Sequence, residues 1–127
     1  MNLHESGENY LETILLIQKQ KGEVRSIDIA NELDYSKPSV SRAVGILRDS
    51  GYITVAQNGL IHFTEKGRKR AEGVYERHRI IGAFLEMTLG LDPTVAETDA
   101  CRIEHILSKK TFERIKGYVA EHEDNRS

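Results

Sequence analysis

The sequence predicts a mainly α-helical protein: three helices, a short β-hairpin and three further helices. Three observations carry that expectation. Apolar residues recur at helical spacing along most of the chain. The spacing changes once to alternation, at Ile53, Val55, Ile61 and Phe63. Gln57-Asn58-Gly59 lies inside that alternating stretch, and Asn-Gly between alternating apolar residues is a strong hairpin signal.

Each element has its own local reason. Residues 7–21 form a helix with Leu11, Ile14, Leu15 and Ile17 inward, stopped by Gly22. Ser26 is the expected N-cap of a short helix through Leu33, with Ile29, Ala30 and Leu33 inward. Asp34-Tyr35 makes a turn, and Ser36 caps a third helix whose inner stripe is Val40, Ala43, Val44 and Leu47. Pro38 is tolerated in that helix's first turn, where amides lack intrahelical partners. After the hairpin, Thr64 caps a long helix to about Leu89, and Gly90 ends it. Its inner stripe holds Ala71, Val74, Tyr75, His78, Ile81 and Leu85. Pro93 opens a fifth helix expected to reach about Leu107, and Thr111 a sixth, with Phe112, Ile115, Tyr118 and Val119 along one face.

Composition narrows the function classes. A chain of 127 residues fits one domain, or two small subdomains. Its single Cys excludes an internal disulfide and any multi-Cys zinc finger. No apolar run has the length of a membrane span, and Leu3-His4-Glu5-Ser6 does not open a signal peptide, so a cytoplasmic protein with no membrane partner is expected. Net charge is −2, but it is unevenly spread. Between Ser36 and Arg70, seven cations face only Asp49 and Glu65, a local balance of +5. Phosphate contact needs such a patch rather than a basic whole protein.

Helix, tight turn, helix and hairpin is the order of a winged helix-turn-helix, whose second helix enters the major groove of DNA. The third helix has suitable chemistry. Pro38, Arg42 and Gly45 lie opposite its apolar stripe, flanked by Ser39 and Ser41. Small and hydroxyl groups permit close approach, and Arg42 can pair with guanine or phosphate. Ser36 and Lys37 at the amino end suit phosphate. Arg25 and Asn58 complete the expected contact set, and residues 1–70 form the expected DNA-binding domain. An ordinary three-helix core would share the helix order, but the hairpin and the basic patch favour a DNA reader.

The fifth helix carries a second signal. Cys101, Glu104 and His105 stand at i, i+3 and i+4, neighbours on a helix surface and all metal-binding side chains. On a wheel, Ala96, Ala100, Ile103, Ile106 and Leu107 share one side; Glu97, Cys101, Glu104 and His105 share the other. Cys is rarely left on a solvated face, so another element should cover this one. His78 and the Asn9–Glu12 turn, with Glu8 beside it, are the two candidates. Each piece also has a plainer reading. His78 alone suits a core histidine, and Glu8, Asn9 and Glu12 a solvated helix face. Cys101 alone suits a small core hydrophobe.

Four stretches together resemble a known family: Glu8-Asn9-Tyr10-Leu11-Glu12-Thr13-Ile14, Pro38-Ser39-Val40-Ser41, Glu76-Arg77-His78-Arg79, and Ala100-Cys101-Arg102-Ile103-Glu104-His105-Ile106-Leu107-Ser108. They look like the iron- and manganese-dependent repressors, the diphtheria toxin repressor and manganese transport regulator group. The resemblance spans nearly the whole chain. It implies a homodimer that binds palindromic operator DNA when loaded with Mn(II) or Fe(II) and shuts off metal-uptake genes, with no small-molecule substrate and no enzymatic activity. It implies a helical metal-binding and dimerisation domain over residues 71–127 and metal ligands at Asn9, Glu12, His78, Cys101, Glu104 and His105. Glu8 and Glu97 are possible ancillary ligands.

The set is a hybrid. Cys101 matches the iron type and Glu12 the manganese type, while Asn9 stands where those types have Met or Asp. Gly82 replaces an ancillary Glu of the iron type, and Glu97 stands where that type has a His. Metal is expected to join the first helix to the fourth and fifth. Dimer contacts are expected from the last two helices through Phe112, Ile115 and Val119. The chain ends soon after the sixth helix, which is similar to short members lacking an SH3-like domain.

Two other classes compete. Cys101 with His105 could act as nucleophile and base in a thiol enzyme, although no oxyanion donors or orienting third group are evident. A winged-helix regulator could instead sense oxidants or small molecules through Cys101 without metal.

Overall fold

The computed structural model describes residues 5–123. Residues 1–4 and 124–127, which include part of the Leu3–Ser6 opening and the ends of both expected domains, lie outside them. The described chain runs α1 (Glu5–Lys21), α2 (Ser26–Leu33), α3 (Lys37–Asp49), β1 (Ile53–Val55), β2 (Ile61–Phe63), α4 (Glu65–Leu89), α5 (Pro93–Ile103) and α6 (Lys109–Glu123). It divides into two compact units, one up to Gly73 and one from Val74.

In the first unit α1, α2 and α3 pack on one another, and α3 packs on β1. Of the expected inner residues, Leu11, Ile14, Leu15, Ile17, Ile29, Ala30, Val40, Val44 and Leu47 are buried, joined by Val24, Tyr52, Ile53 and Ile61, while Leu33 and Ala43 are half-buried. Removing such a set from water is the main favourable term in folding. The strands pair antiparallel, Thr54 opposite His62. The Ile61 amide also donates to the Val24 carbonyl at 2.8 Å, tying the sheet to the segment before α2.

One local expectation is corrected, and the hairpin takes a wider turn than the shortest one. The N-cap of α2 is Arg25, and Ser26 is the first helical residue. The cause is Asp28, whose Oδ2 accepts the Arg25 amide at 2.9 Å. Of Asn58 and Gly59, only Gly59 takes positive φ, at +85°. The hairpin is therefore not closed by a two-residue type I′ turn, which needs positive φ at both central residues. A wider loop closes it, with Ala56 and Leu60 paired and Asn58 Oδ1 accepting the Leu60 amide at 3.1 Å.

Asp28 also accepts a hydrogen bond from Lys21 Nζ at 2.7 Å. That bond, then the Arg25 amide, holds the Asp28 carboxyl below its ordinary value. The stabilisation is present above the unfolded-state value, near about 4, and is lost as pH falls through the lower folded-state value. Asp28→Ala should cost about 1 kcal/mol in urea unfolding at neutral pH. The gap between wild type and variant should close in acid.

The turn between α2 and α3 and the start of α3 follow expectation. Asp34 takes a left-handed conformation at φ 55°, which reverses the chain. Ser36 Oγ then caps α3 by accepting the Ser39 amide at 3.3 Å. Thr64 opens α4: its Oγ1 accepts the Gly67 amide at 3.0 Å and donates to the Gly51 carbonyl at 2.6 Å.

The second unit is built on a buried cluster of Ile81, Ala100 and Phe112, with Ile80, Leu85, Ile103 and Leu107 against it. Asp92 caps α5 by accepting the Thr94 amide at 3.0 Å. Contrary to the expected end near Leu107, α5 stops at Ile103. The chain then tightens, with the Ile106 amide donating to Ile103, and Ser108 Oγ accepts the Thr111 amide at the start of α6. Ile106, expected on the apolar side of α5, is consequently 79% exposed. Phe112 and Val119, expected at a dimer surface, are buried within the protomer and Ile115 is half-buried. Phe112 and Val119 belong to the core of their own unit, because that is the side α6 presents inward.

Candidate metal centre and nucleic-acid face

Three ligand-type side chains meet in the second unit. α4 supplies His78, α5 supplies Cys101, and the residue that ends α5 supplies Glu104. One ligand atom from each lies within 4.8 Å of the others. Glu104 is only 4% exposed. An imidazole, a thiol and a carboxylate converging this closely form a donor set that fits a transition-metal ion.

The His78 ring is oriented by the main chain. Its Nε2 lies 3.1 Å from the Glu97 carbonyl. A carbonyl can only accept, so Nε2–H donates, and in the neutral ring the lone pair is on Nδ1. Sequence reasoning missed this contact because a backbone carbonyl carries no side-chain signature.

The other proposed ligands are placed as follows. His105 has a side chain 3% exposed, with Nε2 3.4 Å from Glu104 Oε1. It borders the cluster through Glu104. Glu12 on α1 is buried, at 5% exposure. Asn9, one turn earlier, is half-buried and its carbonyl accepts Thr13 Oγ1 at 2.8 Å. Glu8 is engaged by Arg70, whose Nε and Nη2 both lie 2.8 Å from Oε2, so its carboxylate serves an ion pair. The Glu97 side chain is exposed, and its backbone is the part that meets His78.

On the first unit, Lys37, Pro38, Ser39, Ser41 and Arg42 are exposed on α3, opposite buried Val40, Val44 and Leu47. That is the division a major-groove helix needs. Ser36 caps α3 as expected, and its hydroxyl also bonds Ser39 Oγ at 2.8 Å. Arg25 Nε donates to the Asn58 carbonyl at 3.3 Å, linking the start of α2 to the hairpin loop. Among the described residues, no helix is long and apolar enough to cross a membrane.

Residues 2–60 match the iron dependent repressor, N-terminal DNA binding domain. Residues 64–125 match the iron dependent repressor, metal binding and dimerisation domain. Over 123 residues the chain is 32% identical to an uncharacterized HTH-type transcriptional regulator of Methanocaldococcus jannaschii, covering 96% of this chain and 98% of that one. The chain belongs to the iron-dependent repressor family. This family member is also 31% identical over 115 residues to the transcriptional regulator MntR of Escherichia coli, covering 91% of its own length and 74% of MntR. Its fold is similar to that of the manganese regulator SloR, with a TM-score of 0.79 at 25% identity over 94% of this chain. It spans 55% of the SloR chain, little more than half.

Proposed function

We propose that this protein is a metal-dependent transcriptional repressor, acting in the cytoplasm as a homodimer. Loaded with Mn(II) or Fe(II), it binds operator DNA and controls metal-uptake genes. The observation that carries the reading is the convergence of His78, Cys101 and Glu104 in a chain with an exposed major-groove helix. Glu12 and Asn9 are proposed to join those ligands when metal binds, with His105 beside Glu104. Glu12 is a buried carboxylate one helical turn from Asn9, which supports that role. Iron is supported by the family description and manganese by the likeness to SloR. Exposed apolar side chains on the second unit, Leu89, Val95 and Ile106, are proposed for the dimer contact in place of Phe112 and Val119. The domains are proposed to divide near residue 70.

The ligands come from separate helices, so metal supplies a cross-link whose energy can favour one arrangement of the chain. A switch from almost all inactive to almost all active needs about 10⁴-fold tighter metal binding to the active state. The residues' part is to present neutral imidazole, thiolate and carboxylate, so loading should release protons and weaken in acid. Sensing of oxidants through Cys101 alone finds no matching support, since the thiol lies among other ligand-type groups.

The test is operator binding by chelated protein titrated with Mn(II) and with anaerobic Fe(II), alongside metal counting. Metal should tighten operator binding at every salt concentration. Equal binding by apo and loaded protein would sink the proposal. Arg42→Ala should then cost about 1–3 kcal/mol and relax sequence preference at one position per half-site, if Arg42 reads guanine. Uniform weakening across sequences would assign Arg42 to phosphate instead.

A further inference from the structure

The residue before His78 meets the other side of the candidate centre. Arg77 Nη2 donates to the Glu104 carbonyl at 2.8 Å and reaches the Leu107 carbonyl at 3.4 Å. Its guanidinium carbon lies 4.9 Å from the centre of the Phe112 ring. Phe112 is itself held in the buried cluster with Ile81 and Ala100. The guanidinium is thus anchored on a buried ring and directed at the main chain that ends α5.

That main chain needs a partner. The last carbonyls of a helix have no amide of their own to accept from, and a cation there is favoured by charge as well as by hydrogen bonding. At this helix end the adjoining side chains are Glu104 and His105. Glu104 keeps helical backbone angles and its amide still donates to the Ala100 carbonyl, but beyond it the chain leaves the helix in a turn, because α5 has stopped at Ile103. Their placement depends on what holds the turn.

We infer that Arg77 is a positioning residue for the metal centre: its guanidinium clamps the Glu104 and Leu107 carbonyls and so sets the direction of the Glu104 carboxylate and the His105 ring. Arg77 and His78 are consecutive on α4. One turn of one helix therefore supplies a ligand and, through the clamp, fixes the ligands of α5 relative to it. A site needs this support because a ligand held loosely loses much of its affinity. The inference rests on the metal-binding reading proposed above.

The test uses the full chain and Co(II) as the probe, read by absorption. Wild type should show thiolate-to-Co(II) charge transfer from Cys101 and ligand-field bands that report geometry. Arg77→Met should bind Co(II) roughly tenfold to a hundredfold more weakly, with altered ligand-field bands. The thiolate charge transfer should persist, because Cys101 lies within α5 proper. Arg77→Lys should restore part of the affinity, since an ammonium keeps the charge but is shorter and cannot lie over the Phe112 ring as the planar guanidinium does.

A purely structural role predicts lower apo stability with unchanged Co(II) affinity and spectrum, and that result overturns the inference. If Arg77→Met loses its helical circular dichroism, Arg77→Lys decides: wild-type affinity and bands overturn the clamp, weaker binding with shifted bands supports it. Absence of charge transfer in wild type is a different outcome, and it removes the metal reading together with the clamp. Wild-type binding with indifferent Arg77 variants removes the clamp alone.

Discussion

Cys101→Ser should abolish thiolate-to-metal charge transfer in the Co(II)-loaded protein and weaken metal binding by at least about a hundredfold. The magnitude follows from the shells around metal sites. Loss of an outer-shell partner typically costs about 10–100-fold, and a direct ligand costs more. Cys101 brings the softest donor to a group whose other members are an imidazole and a carboxylate. A serine hydroxyl is neutral near pH 7 and a poor replacement for a thiolate. Thermal unfolding gives an independent measure. At metal about 100 times the wild-type Kd, the native state gains about 2.7 kcal/mol. A hundredfold weaker variant at the same concentration gains about 0.4 kcal/mol. Operator binding should need correspondingly more metal. Metal-dependent stabilisation that survives Cys101→Ser unchanged would place the thiol outside the centre. Loss of a peroxide response with intact metal-dependent DNA binding would restore the oxidant-sensing alternative.

Gly67→Ala should destabilise the protein by about 3 kcal/mol or more, although Gly→Ala inside a helix is ordinarily favourable by about 1 kcal/mol. Gly67 lies in the first turns of α4, where a Cβ would overlap the carbonyl oxygen and carbon of Tyr52. Neither side can easily retreat. Tyr52 is buried, its carbonyl accepts the Thr64 amide at 3.1 Å, and Thr64 is bonded to Gly51. The added methyl must therefore break a hydrogen-bonded turn or push α4 off the hairpin base. Gly73 is the internal control. It lies in the same helix with nothing within 4 Å of an added Cβ. Gly73→Ala should stabilise by about 0.5–1 kcal/mol. Urea midpoints for the two variants should move in opposite directions. A rise for Gly67→Ala would mean that α4 and the Tyr52 carbonyl are not in contact in solution.

Much of the candidate metal centre could be read in the chain, but not its boundary. Cys101 and Glu104 stood out because three ligand types fell within five residues. His78 stood out as a polar group in an apolar stripe. The pairing of Glu8 could not be read, because its partner Arg70 lies 62 residues away. The same holds for the roles of Arg77 and the Glu97 carbonyl, both of which act through main-chain groups. Where α5 ends was hidden for a related reason. Ile106 and Leu107 continue the apolar period, so the pattern runs on past the point where tertiary partners take the carbonyls.

Element order, most caps and inner faces, and the exposed face of α3 are written in local chemistry. Ser36, Asp92 and Thr64 act within a few residues of themselves, and helical or alternating apolar spacing recurs within a few turns. Which ligand-type side chains meet, which face of α6 is core, and why Gly67 must lack a side chain depend on residues far apart in sequence. Those contacts form only when elements pack, and packing chooses among faces that local periodicity leaves equivalent.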